Sequence, residues 1–187
     1  MTDFRDLICD LTAAGVRFED PLADAEVVVV QDRFGFVFPE DLRAFLQTAL
    51  PVSRRFPDWR FPDWRSGDEA ELRRQLAWPL EGLEFDVRNN LWSDCWGPRP
   101  EAIADRLKVV RAWVADAPTL ITVYGHRYMP ERPSTAGNPV LSVYQSDMMR
   151  YGSDLADYLR NEFLRPEDEM IRVREDVRPV EGWQAFL

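Results

Sequence analysis

Apolar residues recur every three or four positions in six segments of the chain, a period typical of amphipathic helices. The first segment has Thr2 as a candidate N-cap and Gly15 as a candidate stop. The second contains four consecutive valines, which are also typical of a strand, but helical spacing with Asp24 before and Gly35 after favours a helix. The predicted helices cover residues 2–14, 24–34, 39–50, 68–78, 103–117 and 154–163.

Three shorter segments have the patterns of strands. Residues 83–87 alternate apolar and acidic side chains, which predicts a strand with one wet face after a helix that ends at Pro79. Residues 120–124 and 140–144 are mostly apolar and are typical of buried strands joined by a proline-containing loop. Helices grouped before and after a few strands predict a single α+β domain over residues 1–187.

The chain has 23 basic and 33 acidic residues, a formal net charge of -10. Such a field repels phosphate backbones, so nucleic acid is not expected as a partner. The N-terminus lacks the features of a signal peptide, and no run approaches the roughly 20 apolar residues that span a bilayer. Cys9 and Cys95 lack the CxxC spacing. We therefore expect a cytoplasmic protein with reduced thiols and no membrane partner.

Motifs of familiar enzymes are absent from the sequence, including the GxxxxGK[ST] phosphate loop, a GxGxxG turn after a strand, HExxH and GxSxG. One histidine and two distant cysteines provide too few soft ligands for a typical structural zinc site. Neither a metal nor another cofactor is therefore expected.

The only histidine, His126, lies in a predicted turn after the strand at residues 120–124. Three roles remain open: a ring hydrogen-bonded to the loop backbone, a contact with a ligand or partner, or an acid/base catalyst with a carboxylate such as Asp147. Glu84 and Asp86 form another candidate pair, because they would share one face of the predicted strand. Such pairs are frequent on wet strand faces, so no catalytic residue is predicted.

Two further segments are rich in aromatic residues. Phe56-Pro57-Asp58-Trp59-Arg60 is repeated at once as residues 61–65. The repeat predicts a duplicated surface loop or a contact patch, because Trp and Arg are enriched in binding hot spots. Trp92 and Trp96 flank Asp94 in a loop dense in Gly and Pro. Their rings are either buried or line a recognition surface.

Several motifs follow one another in a fixed order over residues 23–163. They are Phe36-x-Phe38-Pro39-x-Asp41-Leu42-x-x-Phe45-Leu46, Phe56-Pro57-Asp58-Trp59-Arg60, Phe85-Asp86-Val87, Trp92-x-x-x-Trp96-Gly97-x-Arg99-Pro100, Val123-Tyr124-Gly125-His126-Arg127-Tyr128-x-Pro130, Gly137-Asn138-Pro139-Val140-x-Ser142-Val143-Tyr144-Gln145 and Tyr151-Gly152. Their combined order and spacing resemble the SUKH superfamily, in particular its bacterial Smi/Knr-type members. The resemblance implies a central, mostly antiparallel or mixed sheet with helices packed around it. It leaves residues 165–187 as a C-terminal extension, whose expected apolar anchors are only Trp183, Phe186 and Leu187.

The resemblance also implies a protein-binding domain without enzymatic activity, which in bacteria neutralises a toxin domain, often a nuclease, as an immunity protein. A basic toxin domain would complement the net charge of -10 and meet the protein faster. The predicted contact surface consists of Trp92, Asp94, Trp96, His126, Arg127 and Tyr128. Two alternatives stay open: an intracellular regulatory scaffold of the cell-wall-signalling type and a small hydrolase that uses His126.

Overall fold

The computed structural model describes residues 3–56, 59–166 and 169–187, and these ranges contain six α-helices and eight strands. The helices are α1 (Arg5–Ala13), α2 (Asp24–Phe34), α3 (Glu40–Leu46), α4 (Glu69–Arg88), α5 (Ile103–Asp116) and α6 (Leu155–Phe163). The strands are β1 (Phe18–Glu19), β2 (Leu50–Pro51), β3 (Arg54–Phe56), β4 (Trp59–Arg60), β5 (Leu120–Tyr124), β6 (Arg127–Pro130), β7 (Val140–Tyr144) and β8 (Asp147–Gly152). The predicted α+β class is confirmed.

The main sheet is an antiparallel meander in the order β5-β6-β7-β8. Two-residue turns join β5 to β6 and β7 to β8, and each turn begins with a residue of positive φ, Gly125 at 54° and Gln145 at 59°. The two short pairs β1-β2 and β3-β4 are also antiparallel. The β5–β6 turn carries His126, so the meander fixes the position of the only histidine.

Both faces of this sheet are covered, which explains why β5 is buried at every position instead of alternating. Ile121 and Met129 pack on one face with apolar residues of α1, α2, α3 and α6. Leu120 and Leu141 pack on the other face with residues of α4 and α5. The protein therefore has three layers, with the sheet between two groups of helices.

The C-terminal segment belongs to the second of these cores. Val180 and Trp183 are buried there, and the indole Nε1–H of Trp183 donates to the backbone oxygen of Pro118 at 2.8 Å. The guanidinium of Arg178 donates to the side-chain oxygen of Asn138 at 2.7 Å. The prediction that the tail packs only through Trp183 and the last two residues was therefore too narrow.

The helix α4 differs most from the prediction. It continues through Pro79 to Arg88, so the predicted strand at residues 83–87 is wrong. The apparent alternation belongs to a helix, because Leu83 and Val87 are one turn apart and both are buried. Pro79 has no N–H for the carbonyl of Gln75, four residues earlier. This carbonyl accepts a hydrogen bond from the Tyr128 hydroxyl at 2.8 Å instead.

Three smaller differences follow from pairing between strands. The strands β6 and β8 were not predicted, because arginine and proline in residues 127–130 resemble a loop. The loop before β7 is therefore only residues 131–139. The predicted helix at residues 39–50 ends at Leu46, and Leu50–Pro51 pairs with β1. Thr2, the candidate cap of the first helix, lies outside the described residues.

Candidate functional site

A cleft of about 440 Å³ opens beside the β5–β6 turn. Its described lining includes His126 and four aromatic residues: Trp59 from β4, Trp78 from α4, Tyr128 from β6 and Tyr144 from the end of β7. Trp78 and Tyr144 remain 39% and 57% exposed, and their ring centroids are 6.4 Å apart. We call this site the aromatic cleft. Large aromatic rings are left in contact with solvent here.

The backbone holds the turn against the β3-β4 pair. Gly125 begins the β5–β6 turn with a positive φ, which glycine adopts without a Cβ clash. Its N–H donates to the carbonyl of Arg60 at 3.1 Å. The ring of His126 packs edge-on against Trp59, with 4.6 Å between the centroids. The wall of the cleft is therefore built from two segments far apart in sequence.

The imidazole of His126 has an unusual electrostatic environment. Burial and the neighbouring positive charge of Arg127 lower its pKa from 6.5 to about 4. The Nε2 atom contacts the guanidinium Nη1 of Arg127. The ring is therefore neutral at pH 7, and it is a weak base because efficient general bases have a pKa near the working pH.

Arg127 lies behind the cleft and is not available to a partner, because it is only 4% exposed. Its Nε donates to Glu162 at 3.2 Å and its Nη1 donates to Ser142 at 2.7 Å. The guanidinium carbon lies 3.6 Å from the ring centroid of Tyr151. These contacts satisfy the buried charge and make Arg127 a structural residue, which corrects its predicted place on the contact surface.

Tyr128 lines the cleft but is only 1% exposed. Its hydroxyl is committed to the Gln75 carbonyl that Pro79 leaves without a partner. Burial, and to a smaller extent the charge of Glu81, raises the pKa of the phenol above its ordinary value. Tyr128 therefore stabilises the helix wall of the cleft instead of forming a free contact.

A group of charges lines the same cleft. The carboxylate of Glu71 in α4 pairs with the guanidinium groups of Arg60 and Arg74. The side-chain amide of Gln75 donates to the same carboxylate at 3.0 Å. Two guanidinium groups thus share one carboxylate.

The other half of the predicted surface lies elsewhere, because neither Trp92, Asp94 nor Trp96 lines the cleft. Trp96 is buried in the second core and packs on Phe186, with 5.7 Å between ring centroids. Trp92 packs on Trp96 and donates from Nε1 to the carbonyl of Gly97 at 2.9 Å. Only Asp94 is well exposed. The structure therefore separates these three residues from His126 and Tyr128, and it shows that Trp96 is a buried core residue.

The two copies of the pentapeptide repeat have different environments. Trp59 and Arg60 of the first copy line the cleft, while Pro57 and Asp58 lie outside the described residues. Trp64 of the second copy is buried against the ring of Phe38, at 5.5 Å between centroids. The repeat is therefore neither a simple surface loop nor a uniform contact patch.

The predicted carboxylate pair does not exist as a pair. Glu84 and Asp86 lie on α4, where residues two apart point about 200° away from each other. Glu84 accepts from Arg111 at 2.5 Å and from Arg88 at 2.9 Å, and these contacts lower its pKa despite desolvation. Asp86 accepts from the hydroxyl of Ser146 at 2.6 Å. The carboxylates therefore have separate structural roles.

The other chemical candidates are also separated. Asp147, the carboxylate considered for His126, lines a different and more open depression. In the part of the chain that the structure describes, no three His, Cys, Asp or Glu side chains converge as metal ligands. Cys9 and Cys95 are exposed free thiols. Among the described helices, none combines the length and apolar character needed to cross a membrane.

Sequence reasoning missed most of the cleft. The sequence places Trp78 at the end of a predicted helix and Tyr144 at the end of a predicted strand, and neither position indicates a contact residue. The sequence did indicate four of the lining residues, namely His126 and Tyr128 of the predicted contact surface and Trp59 and Arg60 of the tandem repeat. Comparisons of the chain with protein-family models, with curated proteins and with solved structures find no match in any of the three.

Proposed function

We propose that this chain is a non-enzymatic protein-binding domain that acts as an immunity protein and neutralises a basic toxin domain, such as a nuclease. The observation that carries the proposal is the composition of the aromatic cleft. Trp, Tyr and Arg are the residues most enriched in binding hot spots, and Trp59, Trp78, Tyr144 and Arg74 all line this one cleft. The toxin-neutralising role rests on the resemblance to the SUKH superfamily.

The chemistry of the cleft favours binding over the hydrolase alternative. A pKa of about 4 makes His126 a poor general base at neutral pH. Among the lining residues that the structure describes, no serine or cysteine lies beside it as a nucleophile. Substrate turnover that depends on His126, with the fold intact, would overturn the non-enzymatic assignment.

The net charge supports a cationic partner. A protein of net charge -10 attracts a basic surface over distances comparable to the Debye length, which is about 8 Å at physiological ionic strength. The association rate of the complex should therefore fall as salt rises, while short-range contacts in the cleft set the dissociation rate. Charge reversal at the exposed Asp94 should slow association if that face also takes part.

The test is co-expression with a toxin encoded beside this gene, followed by binding kinetics of the purified pair. The protein should restore growth, and Trp78→Ala should weaken binding by about 30-fold or more, as expected for a hot spot. Phe85→Ala is the matched control, because Phe85 is an exposed aromatic residue of the same helix outside the cleft. Equal effects of the two variants would place the interface elsewhere.

The alternative hypothesis, that the chain is a regulatory scaffold, predicts a different result. No neighbouring toxin would be neutralised, and a cellular protein would instead bind in a manner sensitive to Trp78→Ala. That outcome would overturn the immunity role and retain the binding role.

A further inference from the structure

The charge in the aromatic cleft is opposite in sign to the charge of the whole protein. Among the lining residues that the structure describes, Arg60 and Arg74 are basic and Glu71 is the only acidic one. These three groups carry one net positive charge, whereas the chain carries -10. A local positive site on an acidic protein restricts what can enter it.

The two guanidinium groups have hydrogen-bonding capacity left over. Each guanidinium has five N–H donors, and a carboxylate accepts from about four lone-pair sites. Glu71 already accepts from Arg60, Arg74 and Gln75. Within the described ranges, neither arginine has another ion-pair partner. An added acceptor would therefore find unused donors from two residues at once.

The aromatic walls strengthen such an interaction. Trp59, Trp78 and Tyr144 line the same cleft as the two guanidinium groups. Charge-assisted hydrogen bonds are stronger where the local dielectric constant is lower. A partner side chain could also pack its carbon atoms on these rings.

We propose that the cleft binds the carboxylate of an Asp or Glu side chain that projects from the partner protein. The carboxylate lies between Arg60 and Arg74, and the aromatic rings pack against its carbon stem. This inference rests on the proposed function, because it assumes that the partner is a protein bound at this cleft. The basic surface of that partner supplies long-range attraction, and one acidic residue within it fixes the orientation.

Other occupants fit the charges less well. A lysine or arginine would meet two positive groups. A phosphate dianion would exceed the single net charge, and Glu81 is close enough to Tyr128 to act on its hydroxyl, which adds a negative charge nearby. A side-chain carboxylate carries the one negative charge that the lining residues lack.

The test uses two capped tripeptides, acetyl-Leu-Glu-Leu-amide and acetyl-Leu-Gln-Leu-amide, titrated into the ¹⁵N-labelled protein. The Glu peptide should shift the indole N–H resonances of Trp59 and Trp78 with millimolar affinity and bind at least about fivefold tighter than the Gln peptide. Absence of these shifts, or equal binding of the two peptides, overturns the proposal. Inorganic phosphate is a third probe, and shifts of the same resonances at equal or lower concentration also overturn it.

Variants assign the effect to the arginines. Arg74→Gln should abolish the preference for the Glu peptide, whereas Arg73→Gln should retain it. Arg73 is the matched control, because it precedes Arg74 on the same helix but pairs with Glu69 outside the cleft. Glu71→Gln should strengthen binding of the Glu peptide, because it removes the competing carboxylate. Equal losses in Arg73→Gln and Arg74→Gln would refute the assignment.

This test is separate from the test of function. If a toxin is neutralised and Trp78→Ala weakens the complex, but the peptides do not discriminate, the carboxylate inference fails and the proposed function stands. If the peptides discriminate but no toxin is neutralised, the cleft chemistry stands and the immunity role fails.

Discussion

The Tyr128 hydroxyl and Pro79 are 49 residues apart in sequence, yet they act on the same carbonyl group. Pro79 has no N–H to offer Gln75, and the Tyr128 hydroxyl fills that position at 2.8 Å. Tyr128→Phe removes this donor without changing the ring. The carbonyl, which is part-buried, then loses its only described side-chain donor, and this loss is expected to lower the free energy of unfolding by about 1–3 kcal/mol.

Pro79→Ala supplies the missing donor by another route. With Ala at this position the backbone N–H can bind the Gln75 carbonyl in the ordinary helical manner. In that background Tyr128→Phe should lower the free energy of unfolding by less than about 1 kcal/mol. The two substitutions should therefore be coupled by about 1–2 kcal/mol, within the range for residues that share a partner.

Urea unfolding of the four proteins, followed by circular dichroism, measures this coupling. Equal denaturant slopes are needed to compare the free energies. Tyr144→Phe is the matched control, since the residue is 57% exposed and loss of its hydroxyl should change stability by no more than about 0.5 kcal/mol. Additivity of Tyr128→Phe and Pro79→Ala within about 0.5 kcal/mol would refute the assigned role of the hydroxyl.

Three further predictions concern stability and protonation. Glu162→Leu leaves the buried Arg127 guanidinium without its carboxylate and should lower the free energy of unfolding by about 3–5 kcal/mol. The double variant with Arg127→Met should lose less free energy of unfolding than the sum of the losses in the two single variants. Strict additivity in urea unfolding would contradict this coupling. NMR titration of the sole histidine should give a pKa of about 4, and Arg127→Met should raise it to a value still below 6.5, because burial is the larger cause. The unfolded state binds this proton at a higher pH than the folded state, so the free energy of unfolding should fall as the pH decreases from about 6.5 to about 4. The loss should be about 1–2 kcal/mol after allowance for solvent screening. His126→Gln should lack this loss, and a ring that titrates near 6.5 in the folded protein would disprove the prediction. Trp183→Ala should lower the free energy of unfolding by about 3–5 kcal/mol, because the indole is buried and hydrogen-bonded; a loss below about 0.5 kcal/mol would show that the tail is not part of the core.

The sequence by itself determined the class of the fold and most of the helices, because these depend on local periodicity and end signals. The helix through the four valines is a clear case. Val27 and Val30 are buried on one side of α2, and Gly35 ends it with a φ of 74°. The prediction of buried strands at residues 120–124 and 140–144 was also correct. Adjacent residues contain this information, so distant contacts are not needed to read it.

Only the tertiary structure decided the boundaries that depend on a distant partner. Pro79 indicates a helix end in the sequence, because its missing N–H can be read from the local residues alone. The hydroxyl that replaces this N–H belongs to Tyr128 in β6, which is distant in sequence. In the same way β6 forms because two strands flank it, although its own residues include arginine and proline. Hydrogen-bond partners from elsewhere in the chain change what a local sequence can adopt.

The candidate site depended still more on distant contacts. Trp59 and Trp64 occupy the same position in two identical pentapeptides, yet Trp59 lines the cleft and Trp64 is buried in the core. His126 and Arg127 are adjacent in sequence, but the side chain of Arg127 is enclosed by Glu162 and Tyr151 behind the cleft. Exposure is a property of the packed molecule, so identical or adjacent residues can have different roles that the chain alone does not specify.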